Sequence, residues 1–130
     1  MDNKSYIVVG IKSNDIPRIL KEKVYKYEES EEFRELVGIE RTIPGLVIGA
    51  FKDYTMRCLR SIDNDTTCAQ IVNSGLCVLE ELCSLKDSNI DNYIQTEFFE
   101  NLNEPKDEIN KLVKMFGENT TSLYREYIRY

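Results

Sequence analysis

The stretch IPGLVIGAFKDYTMRCLRSID, residues 43–63, decides how the rest of the chain is read. Val47, Phe51, Tyr54, Cys58 and Ile62 recur at steps of three and four, the period of one helix face. Lys52, Asp53, Arg57 and Arg60 fall off that stripe, so the expected element is a core helix with a weakly basic exterior. Pro44 suits the first turn of such a helix. Gly45 and Gly49 each weaken its interior by about 1 kcal/mol, a cost accepted for close packing or a bent start.

The flanking text repeats the pattern. Downstream, after the turn IDNDTT, the run CAQIVNSGLCVLEELCSL places Cys68, Ile71, Val72, Leu76, Leu79, Leu82 and Cys83 on one broad face, which makes it the expected central helix. KDSNIDNYIQTEFFENL follows, with Ser88 and Asp91 at capping-box spacing and Ile90, Ile94, Phe98 and Leu102 on one side. Pro105 opens a helix that Gly117 is expected to end, and ENTTSLYREYIRY closes the chain as another. Upstream, SNDIPRILKEKVYKY reads as one helix through Tyr27, and EESEEFRELVGIER as a second that ends near Gly38. The first twelve residues, MDNKSYIVVGIK, fit a short strand or a docked arm. The sum is an all-α fold of six or seven short amphipathic helices of roughly 10–18 residues. They are expected to stack as antiparallel pairs in an irregular bundle or solenoid, one domain over residues 1–130.

Composition narrows the chemistry. A chain of 130 residues with no histidine excludes His-based acid/base catalysis, Ser-His and Cys-His nucleophile pairs and His-containing metal sites. Cys58, Cys68, Cys77 and Cys83 show no CxxC spacing and are expected on inward faces as small apolar residues. No glycine-rich phosphate loop or serine elbow is present, and the expectation is a protein that is not an enzyme and has no cofactor. No apolar run is long enough for a membrane span, and the N-terminus carries no signal-like segment, so the expected address is the cytoplasm.

Charge is distributed unevenly around a net of −6. Residues 28–40 hold six glutamates and one arginine, net −5, and residues 63–110 hold eleven acids against two lysines, net −9. If the helices of the second block stack, Glu80, Glu81, Asp87, Asp91, Glu97 and Glu100 become candidates for a negative partner-binding surface. Such a field repels nucleic acid and speeds association with a basic protein. A soluble protein also uses acidic runs simply as solvated helix exteriors. Tyr124 and Tyr127, with Tyr130, add an aromatic stripe that is either an interface anchor or packing for the last helix.

Between about residues 45 and 115, GAFKDYTMRCLRSID, LEEL (Leu79 to Leu82) and FFENL (Phe98 to Leu102) give the chain the character of small acidic helical proteins. In size, acidity and helix content it resembles bacterial proteins of the immunity type, which neutralise toxins in the cytosol. That resemblance implies a protein partner, a basic toxin or nuclease, held by electrostatic capture and a few buried anchors, and it assigns no individual residue. The alternative is an intracellular adaptor that holds a peptide or subunit in an apolar groove, with self-association into a homo-oligomer as a further option.

Overall fold

A computed structural model describes residues 10–129, and every described element is helical. Seven α-helices run in order: α1 Ile16–Lys23, α2 Glu31–Arg34, α3 Pro44–Leu59, α4 Thr66–Ser84, α5 Ser88–Tyr93, α6 Lys106–Lys114 and α7 Glu118–Ile128. A single π-helical stretch, Ile94–Phe99, continues α5. The all-α reading therefore holds. Residues 1–9 and Tyr130, which carry the expected strand or arm and the last stripe residue, lie outside the described residues. Among the described residues no helix is long and apolar enough to cross a membrane.

The centre is α3, not α4. Eleven of the sixteen α3 residues are buried, against eight of nineteen in α4. Helix α3 packs against α1, α2, α4, α6 and the π-stretch, whereas α7 rests on α4 and the π-stretch. The apolar stripe of α4 is longer, but a helix surrounded on all sides must bury both faces, and only α3 does so. Lys52 corrects the expected exterior of that helix. It is 4% exposed and pairs with Asp53 at 2.8 Å and Glu104 at 3.1 Å. Arg57 and Arg60 do lie outside, bound to Glu32 and Glu108.

The turn at residues 60–65 folds α4 back along α3, capped by Asp65, whose Oδ1 accepts from the Thr67 and Cys68 amides. The two helices meet closely at Gly75, where an added Cβ would lie 2.9 Å from Cε1 of the buried Phe51 ring. Aromatic rings then run continuously through the core. Phe33, Tyr27, Phe51, Phe98 and Phe99 are linked by centroid distances of 5.1, 6.3, 5.6 and 6.0 Å, and Phe116, Tyr124 and Tyr127 surround Phe99.

The helices are shorter than periodicity implies where this ring system intervenes. Helix α1 stops at Lys23, because Val24 turns extended and Lys26 adopts φ +57°, which carries Tyr27 into the core. The break is satisfied locally: the Tyr25 amide donates to Ser74 Oγ at 2.9 Å, and the Tyr27 hydroxyl donates to the Val47 carbonyl. Helix α2 is one turn, capped by Ser30, and Gly38 lies beyond it. The cap of α5 is Asp87, not Ser88, since Asp87 Oδ1 accepts from the Asn89 and Ile90 amides. Helix α6 ends at Lys114, and Gly117 stands at the start of α7 instead.

Candidate functional site

The eight residues singled out in the sequence do not share a face. Glu80 is a fastener: Oε2 accepts from the Asn119 amide and side chain at 2.9 and 2.8 Å, and Oε1 from the Thr120 amide and hydroxyl, both at 2.9 Å. Burial pushes the pKa of its carboxyl up, but these four bonds outweigh it and hold the group below its ordinary value. Asp87 is spent as the cap of α5, and the exposed Glu81 pairs with Lys23 at 3.0 Å. Asp91 keeps a buried Oδ1 with no hydrogen-bond partner among the described residues; burial first, then the charge of Glu126, pushes its pKa up. Glu97 touches α3 at Gly45, while Glu100 lies exposed beside Tyr127. Tyr124 and Tyr127, candidates for an interface anchor or for packing, are half-buried in the ring cluster around Phe99.

The cysteines divide as well. Cys58 and Cys83 are buried as expected and Cys68 is half-buried, but Cys77 is exposed because it falls on the polar side of α4. Burial, reinforced at Cys58 by a contact with Cys68, pushes the Cys58 and Cys83 thiols up to about 12, far from a reactive thiolate.

A different surface carries the stronger signal. Between α2 and α3 the segment 37–42 winds into a short 3-10 turn opened by Gly38 at φ +55°, and it holds Val37 and Ile39 outward at 72% and 77% exposure. Ile43 and Leu46 continue the apolar ridge at 40% and 41%. Leaving Val37 and Ile39 in water forgoes roughly 3 kcal/mol of burial. Yet the backbone beneath them is tightly built. Glu40 Oε1 accepts from the Val37 amide at 2.7 Å, Arg41 donates to the Leu36 and Arg34 carbonyls at 2.8 and 3.3 Å, and Thr42 donates to the Ile39 carbonyl at 2.7 Å. The Arg41 guanidinium also lies over the Phe33 ring, 5.2 Å from its centroid.

Alongside the ridge runs a groove of about 320 Å³. Its floor is the face of α3 at Gly45 and Gly49, and Leu36 and Leu46 join it to the ridge. Glu32, Glu35, Asp53 and Glu97 stand around it, with no lysine or arginine among the lining residues. Arg57 neutralises Glu32, and Lys52 is shared between Asp53 and Glu104. Glu35 and Glu97 have no cation within 4 Å among the described residues. The π-stretch is what aims Glu97 here. Its extra residue, marked by the Glu100 amide bonding to the Gln95 carbonyl at 2.9 Å, turns both Phe98 and Phe99 inward.

Sequence reasoning missed this surface. Its signal was present in LVGIERTIPGL, residues 36–46, whose aliphatic residues follow neither a helical nor a strand period over their whole length. A larger groove of about 630 Å³ lies between α1 and α4, but it ends at Gly10, the first described residue, and the Lys23–Glu81 pair lies along it.

The geometry defines an all-helical protein that presents an aliphatic ridge with a largely acidic border. The family model of DUF7674, a domain of unknown function, matches residues 14–130, and the chain belongs to that family. No curated protein and no solved structure matches the chain.

Proposed function

We propose that this protein works by binding rather than catalysis, as an immunity-type protein that covers and neutralises a protein toxin in the cytoplasm. The observation that carries this reading is the outward pair Val37 and Ile39 on a turn pinned by four side-chain-to-backbone bonds. Exposed aliphatic residues on an ordered backbone are ready anchors, because a partner covers them without the cost of ordering the segment. Acidity, size and the resemblance noted above support a basic toxin as the thing covered.

The test uses tagged wild type and Val37→Ser/Ile39→Ser as baits in extract of the source cell, with mass spectrometry of what each retains. The expected result is one protein held in stoichiometric amount by wild type, lost by the variant, and growth-arresting when expressed without the wild-type protein. Equal retention by both baits would overturn the binding surface. A harmless partner that the variant loses would overturn the toxin role and assign the adaptor role instead.

A further inference from the structure

We infer that the surface formed by the ridge and its groove receives an extended segment of a basic protein, with an aliphatic residue on Val37 and Ile39 and a neighbouring arginine or lysine in the groove. This rests on the binding reading above and names the chemistry of the partner. Charge complementarity selects the occupant. Every charged residue that lines the groove is an acid, and Glu35 and Glu97 are without a cation among the described residues. Glu28, Glu29 and Glu31, all exposed, add acidic charge to the chain that leads into α2 and the ridge. Arg34 and Arg41 do not cancel it alone, and Arg41 is folded back onto the Leu36 carbonyl. An acidic partner would meet like charge there, and a wholly apolar one would bury Glu35 and Glu97 unpaired.

The groove is open for a reason that folding does not supply. Gly49 sits inside α3, where glycine weakens a helix, and a Cβ built on it meets nothing within 4 Å. Packing therefore asks nothing of this glycine, unlike Gly75. The space it leaves continues the apolar ridge through Leu46, so an aliphatic residue and an adjoining cation of one extended segment fit side by side.

The probe is a blocked Ile-Arg-Ile-Arg peptide, with Ile-Gln-Ile-Gln as its uncharged counterpart, titrated into nitrogen-15-labelled protein. Saturable amide shifts at Ile39, Gly45 and Gly49 are expected, with about tenfold weaker binding for the glutamine peptide. Gly49→Leu fills the groove while leaving the ridge intact, and Val37→Ser/Ile39→Ser does the reverse; each is expected to weaken the arginine peptide about tenfold. Thermal melts at or above wild type for Gly49→Leu would establish that it folds. If only the ridge variant weakens binding, or the glutamine peptide binds equally well, the cation in the groove is overturned and the binding reading stands. If the ridge variant binds as wild type does, the reading itself falls. No shift at several millimolar peptide overturns the inference alone.

Discussion

Two carboxylates of the same acidic block respond to protons in opposite directions. Glu80 is held below its ordinary value of 4.5 in the folded protein, so its stabilisation is complete above that value and is lost as pH falls through the lowered one. Asp91 is the reverse: its pKa is raised above 3.8, so the folded protein carries a penalty at neutral pH that lifts as acid protonates the group. Glu80→Gln is therefore expected to lose about 2 kcal/mol at pH 7 from its charged hydrogen bonds, with the difference from wild type shrinking in acid. Asp91→Asn is expected to melt above wild type at pH 7, and that gain also vanishes in acid. Urea unfolding of the three proteins from pH 7 down to pH 3 checks both signs; a Glu80→Gln difference that grows in acid would refute the first. Nothing in the string LEELCSLKDSNID separates these roles. A residue's charge is written in its letter, but its partners here come from α7, about forty residues further on.

Among the elements, α3 was the most legible in the sequence and α2 the least. Val47, Phe51, Tyr54 and Cys58 are buried as their spacing requires, because a helix of sixteen residues outweighs local exceptions. The segments around Tyr27 and Phe33 escaped the same logic, since burial of two rings there overrides the tendency to continue a helix. Ridge and groove were hidden for a related reason: they exist only where α2, α3 and the π-stretch meet. The glycines of α3 and α4 now separate by function, which sequence spacing alone does not reveal. Gly75→Ala is expected to destabilise the protein by about 1–3 kcal/mol, because the Phe51 ring at 2.9 Å has no room to retreat. Gly49→Ala is expected to stabilise it by up to about 1 kcal/mol. Chemical denaturation of the two variants decides this, and equal effects of the same sign would contradict the assigned helix contact.

At the scale of the whole molecule, one buried cation ties the central helix to the chain that follows the π-stretch. Lys52 reaches Glu104 at 3.1 Å, and the other Glu104 oxygen, Oε1, is buried without a partner among the described residues. Lys52→Met is expected to cost about 3 kcal/mol by stranding Glu104, while Lys52→Met/Glu104→Leu recovers most of that loss. A double mutant no more stable than Lys52→Met in urea would show that the pair is not what the single substitution disturbs. The expected architecture of stacked helices survived these local misreadings, because the pattern of apolar faces determines which elements can share a core. The distribution of charge did not survive in the same way: part of the acidic block fastens helices together instead of facing water.

The turn at residues 37–42 separates two tasks that most loops combine. The side chains that hold its backbone, Glu40, Arg41 and Thr42, are not the side chains it displays. Val37 and Ile39 enter those bonds only through their backbones, at the Val37 amide and the Ile39 carbonyl, so other side chains can replace theirs on the same frame. Evolution can rewrite those two letters, one substitution at a time, and keep the grammar of the turn intact.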